Sequence, residues 1–134
     1  MKYEDAPDVR ARLSRIIDTL ELRHVDKYRL KCIRSSGSKS NAVARCYALG
    51  KIWQLALGTR AHYIIEVISH RFDKLGDEEK SKVLIHELLH IPKSFGGGFR
   101  GHDVACRRNV ERLYKALEIS DRGAAGRFLK ESLL

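Results

Sequence analysis

The chain has 134 residues, enough for one hydrophobic core and too few for two ordinary domains, so a single domain over 1–134 with 119–134 as a C-terminal tail is expected. Lys and Arg number 26 against 17 Asp and Glu, a net charge of +9 that favours contact with nucleic acid or other polyanions. No apolar stretch reaches the roughly 18 residues of a membrane span and MKYEDAPDVR lacks a secretory signal's apolar centre, which excludes membrane and secreted classes and predicts a soluble, cytoplasmic protein.

In chain order, residues 7–22 set Val9, Leu13, Ile16, Ile17 and Leu20 at helical spacing, with Pro7 suited to the first turn and Arg10, Arg12 and Arg15 on the other face. Strand candidates follow at 28–33, 43–49, 52–57 and 62–69, with Gly50 and Lys51 marking a turn or bulge and Trp53 expected to pack in the sheet. The loop SSGSKSNAVAR, with Lys39 and Arg45, is small and polar enough to follow a phosphate backbone. A solvated basic surface is the alternative, because the charges scatter over several helices and no aromatic-basic motif appears.

A helix is expected next. Gly76 and Asp77 suit its start, Glu78 and Glu79 suit the positive end of its dipole, and Pro92 forces a stop. Val83, Leu84, Ile85, Leu88, Leu89 and Ile91 make it apolar nearly all round, as befits a domain interior. A closing helix from about 102 to 117 carries Cys106, Val110, Leu113 and Leu117 inward and Arg107, Arg108, Arg112 and Lys115 outward. Beyond Ser120 the segment DRGAAGRFLKESLL, with Phe128 and Leu129, reads as a frayed or docked end. The fold class is α+β: an N-terminal helix, a small mostly antiparallel sheet, a central helix and a closing helix.

The central helix contains His86, Glu87 and His90 in an HExxH pattern. Residues four apart lie one turn apart on one face, so both imidazoles can point at a single ion while Glu87 projects toward the water it activates. Neutral imidazole is a good zinc ligand, and a catalytic zinc keeps three protein ligands and an open position. The zinc acidifies water to a pKa of about 7, and a neighbouring carboxylate takes its proton as it attacks a carbonyl. Two ordinary polar positions on an amphipathic helix would be the alternative.

A third ligand must come from elsewhere. His102 follows the triple glycine 96–98, which can turn the chain back toward the helix, and is favoured over Glu111 on the closing helix. Cys106, one turn past His102, can also reach an ion, although its spacing suits the buried stripe.

The stretch YIIEVISHRFDKLGDEEKSKVLIHELLHIPKSFGGGFRGH, residues 63–102, resembles the phage and archaeal metallopeptidase domain, a relative of the SprT-like (Spartan-like) zincins. The likeness extends back through IWQLALG at 52–58. It implies a minimal zincin-like fold, His86, His90 and His102 as zinc ligands and Glu87 as catalytic base. The metzincin pattern is not met, since Lys93 stands where that family has glycine and Gly96 where it has its third histidine. The strand before the active helix, 62–69, is expected along the cleft edge, where a peptide can add by main-chain hydrogen bonds; an ordinary edge strand is the alternative.

Cys32, Cys46 and Cys106 form no CxxC pair and read as free thiols of a reducing compartment, with a Cys32–Cys46 bridge between neighbouring strands as the alternative. Tyr63, Tyr114 and Arg100 are candidates to stabilise an oxyanion, and spacing does not choose among them. Phe95 and Phe99 either anchor the glycine loop or form an apolar pocket or lid. His24, His62 and His70 read as surface groups at element ends. The leading reading is a zinc metallopeptidase cleaving peptide bonds, with nucleic-acid-associated proteins as possible substrates. Its rivals are a basic nucleic-acid-binding module with a structural zinc, which needs four protein ligands, and a metal hydrolase acting on a different amide.

Overall fold

The computed structural model describes residues 1–121. Among them, strands β1 (Lys2–Asp5), β2 (Leu30–Ser36), β3 (Ala44–Ala48) and β4 (Tyr63–Ile68) combine with helices α1 (Pro7–Thr19), α2 (Lys51–Leu57), α3 (Ser69–Phe72), α4 (Asp77–Leu89) and α5 (Arg107–Ser120) in an α+β fold. The sheet is mixed and ordered β1-β2-β4-β3, with a parallel β2–β4 centre and an antiparallel strand on each side.

Sequence periodicity accounts for the core. Val9, Leu13, Ile16 and Ile17 of α1 are buried, as is Leu20 just past its end, and they meet Leu30 and Cys32 of β2 with Tyr63, Ile65 and Val67 of β4. Alternation along each strand turns those residues to one face, which α1 and α4 cover, with α5 packed against both helices. Each fully buried Leu or Ile contributes about 1.5–3 kcal/mol, so this shared face dominates the stability of the frame. Arg34 on β2 ties the frame together, bonding Asp8 of α1 at 2.5 Å and Asp73 at the end of α3 at 2.9 Å.

Several expectations are corrected. The run at 52–57 is helical, not a strand: Gly58 closes α2 in the left-handed region, at φ +64°, where its amide reaches back to the helix carbonyls. So short an apolar run cannot distinguish strand from helix by period. Trp53 therefore does not pack in the sheet and is 59% exposed on α2. The strand expected at 28–33 begins later and runs to Ser36, after a 3-10 turn at Lys27–Arg29 capped by the Asp26 side chain.

The strand expected at 62–69 is present as β4, but it is not a cleft edge. It pairs with β2 on one side and β3 on the other, leaving no free backbone edge; β3 is the edge strand instead. This order also rules out the Cys32–Cys46 bridge. Both cysteines sit opposite Ile65 from either side of β4, two strand spacings or about 9.6 Å apart. A disulfide spans at most about 6.8 Å between Cα atoms. Both are free thiols whose pKa burial raises, to about 11 for Cys32 and about 12 for Cys46.

The closing helix starts at Arg107, not near His102, and continues to Ser120. Turns centred on the Gly101 carbonyl, which accepts from the Val104 and Ala105 amides, occupy the residues before it. Its inner stripe is Val110, Leu113, Ala116 and Leu117, while Cys106 caps it half-buried. The expected tail enters this helix at 119 and 120, and Phe128 and Leu129 lie outside the described residues. Among the described residues no helix is long and apolar enough to cross a membrane.

Candidate metal centre

Helix α4 delivers two of the three histidines. Leu84, Ile85 and Leu88 are 0–3% exposed and fix its inner side, leaving His86 and His90 half-buried on the opposite side with ring centroids 5.0 Å apart. The helix ends at Leu89 with His90 as its C-cap, and Ile91 is buried beyond it. Pro92 has no amide with which to continue the ladder.

The third histidine arrives on the segment after the glycines. His102 lies 5.1 Å from His90 and 5.8 Å from His86 by ring centroids. One nitrogen from each ring falls within 4.8 Å of the others, so the trio can hold one metal ion. Glu111 stands outside this group, its carboxylate 3.1 Å from the Lys82 ammonium. Cys106 lines the cleft and is likewise not among the grouped ligand atoms.

Hydrogen bonding prepares the site. His90 Nδ1 lies 2.8 Å from the Arg100 carbonyl, and a carbonyl can only accept, so Nδ1 carries the proton and Nε2 keeps its lone pair for a metal. The Arg100 amide in turn donates to the His90 carbonyl at 2.8 Å, clamping the segment to the end of α4. Burial, then the neighbouring His90 and His102, holds the His86 pKa below its ordinary value, which favours the neutral ring a metal needs. Three neutral imidazoles fit a borderline divalent ion.

Glu87 is 6% exposed and lines the same cleft. Burial pushes its carboxyl up to about 7, against a smaller opposing pull from His102. The cleft encloses about 1050 Å³ between β3, α4 and the start of α5.

The glycine loop is held by contacts that the residue pattern did not reveal. The Tyr63 hydroxyl donates to the Gly98 carbonyl at 2.8 Å and accepts from the Gly97 amide at 2.9 Å, while its ring packs edge-on to Phe95 at 4.8 Å. Gln54 of α2 donates to the carbonyls of Leu49 and Gly96. Gly97 sits at φ +104°, and a Cβ there would lie 2.6 Å from both Leu49 O and Gln54 Nε2, so only glycine fits. Phe95 is buried under the Arg29 guanidinium and anchors the loop; Phe99 is 54% exposed and lines the cleft.

Of the oxyanion candidates, Tyr63 is engaged by the loop and Tyr114 packs under the Lys82 ammonium without lining the cleft, while Arg100 borders the cleft. His24, His62 and His70 are absent from the cluster. The loop SSGSKSNAVAR turns its polar groups on itself: Ser40 Oγ accepts from the Ala42 amide and from Arg45, and Arg71 holds the Ser40 carbonyl.

A family model described as putative phage metallopeptidase matches residues 1–130. No curated protein and no solved structure matches the chain. The family name carries metallopeptidase activity on protein or peptide substrates and a metal cofactor, and the histidine trio is a site able to hold one. The chain belongs to the phage metallopeptidase family.

Proposed function

We propose that the chain is a zinc-dependent peptidase of the HExxH type, in which His86, His90 and His102 hold the ion and Glu87 is the general base. The observation that carries this reading is the convergence of three ring nitrogens within 4.8 Å beside a buried carboxyl. A bound zinc supplies acidity to water and polarises the scissile carbonyl. Glu87 accepts the proton of the attacking water and passes it to the amine that leaves. Burial raises the Glu87 carboxyl above the ordinary carboxylate range, which makes it a stronger proton acceptor. Three grouped protein ligands among the described residues favour this over a structural zinc, which takes four.

The substrate strand belongs on β3. Val43 O and Leu49 N bond to β4, and pairing alternates along an antiparallel ladder, so the main-chain groups of Ala44, Cys46 and Ala48 face the free edge. A peptide added there would run along the cleft lined by Val43, Ala44 and Cys46. This arrangement also supports kinship with the SprT-like zincins, and the +9 charge supports substrates associated with nucleic acid.

Glu87→Gln tests the chemistry. The variant should retain zinc by elemental analysis and lose at least about 100-fold of the activity on an unfolded protein substrate, the scale of a removed general base. Unchanged hydrolysis in that variant would refute the role of Glu87.

A further inference from the structure

Beside the segment that carries His102 lies a second cavity, of about 480 Å³, bordered by Arg23, His24, Lys93, Arg100 and Arg112. Three separate parts of the chain converge there: the turn after α1, the segment after α4, and α5. Among the described residues the carboxylate lining it is Glu21, against four Lys or Arg groups and one histidine. Gathering like charges around one concavity is unfavourable unless an anion neutralises them. The crowding is close: after burial, the charges of Arg100 and Lys93 help hold the His24 ring below its ordinary pKa. None of the four cationic side chains has an ion pair with an acidic partner among those found in the described residues, unlike Arg34, Arg12 or Lys82.

We propose that this cavity is a phosphate-binding site, gripping a phosphate group through Arg23, Lys93, Arg100 and Arg112. Guanidinium forks match phosphate oxygens in pairs, which is why the ligand is a phosphate more than a halide or a simple carboxylate. Arg100 connects the two sites. The residue borders both the cavity and the metal-site cleft, and its carbonyl fixes the His90 ring. A phosphodiester held in the cavity would therefore place whatever protein it carries beside the cleft. This assignment rests on the polyanion half of the functional reading and is independent of peptide hydrolysis, because its readout is binding.

The test uses the full chain with two probes, a labelled single-stranded oligonucleotide and inorganic pyrophosphate. The paired variant Arg23→Ala/Arg112→Ala is compared with Lys2→Ala/Lys31→Ala, which removes the same charge from the exposed β1–β2 face. The pocket variant should weaken binding roughly tenfold or more and lower the salt dependence of oligonucleotide binding by about one unit per lost phosphate contact, while the control pair changes little. Loss of binding to both probes assigns a nucleic-acid backbone phosphate; binding of pyrophosphate alone, lost in the pocket variant, assigns a free phosphate compound. Equal weakening in the control pair, unchanged binding in the pocket variant, or no binding of either probe to the wild type would overturn the site.

Discussion

Helices α4 and α2 are both rich in apolar residues, VLIHELL in one and IWQLAL in the other, yet they differ in what surrounds them. In α4 the residues Leu84, Ile85 and Leu88 are almost wholly buried between the sheet, α1 and α5. In α2 no residue is buried, and Ile52, Leu55 and Leu57 are 77%, 84% and 62% exposed. The difference shows how the candidate centre is built. Apolar packing immobilises the helix bearing His86 and His90, whereas α2 supports the centre through polar contacts, the Gln54 amide bonds to Leu49 and Gly96.

The sharpest way to break this contrast is to cut one leucine from each helix. Leu88→Ala should cost about 2–5 kcal/mol in denaturant unfolding, the range for a buried leucine. Leu55→Ala should stay within about 0.5 kcal/mol, as for an open surface position. Similar losses in both would mean that α2 is packed after all.

A smaller effect is expected where α2 meets the glycine loop. Gly97→Ala puts a Cβ against Leu49 O and Gln54 Nε2 at positive φ, a strain of about 1–3 kcal/mol, and should loosen the segment that carries Arg100 and His102. Gly98→Ala meets no atom within 4 Å and should be mild. Metal affinity measured by competition with a chelator should fall in the first variant and hold in the second.

The smallest effect is electrostatic and belongs to the frame beneath α4. Hydrogen bonding to Arg34 holds the Asp8 carboxyl below its ordinary pKa, so the folded state favours the carboxylate. That stabilisation is present above the unfolded value, about 3.9, and is lost as pH falls through the lower folded value. Arg34→Met should flatten the fall in Tm below about pH 4, read by circular dichroism. An unchanged acid profile would mean that the pair contributes nothing.

How much of this was legible in the sequence depended on range. The span of α4 could be read because its start, its stop and its apolar turns are all local, and His102 could be singled out because it follows the triple glycine, before the family likeness added its weight. Strand order could not. Whether 62–69 or 43–49 forms the cleft edge is decided by which strands pair across the sheet, and the near-continuous burial of β4, broken only at Ile64, follows from its place between β2 and β3. β1 escaped notice because all four residues of KYED are exposed and only its backbone pairing makes it a strand. The same limit hid Tyr63, whose hydroxyl finds the glycine loop 34 and 35 residues away.

The central claim is the identity of the trio. Metal content by elemental analysis of the wild type, His102→Ala and Glu111→Ala tests it most directly. Stoichiometric zinc is expected in the wild type and in Glu111→Ala, and its loss from His102→Ala. Zinc retained without His102 and lost without Glu111 would contradict it.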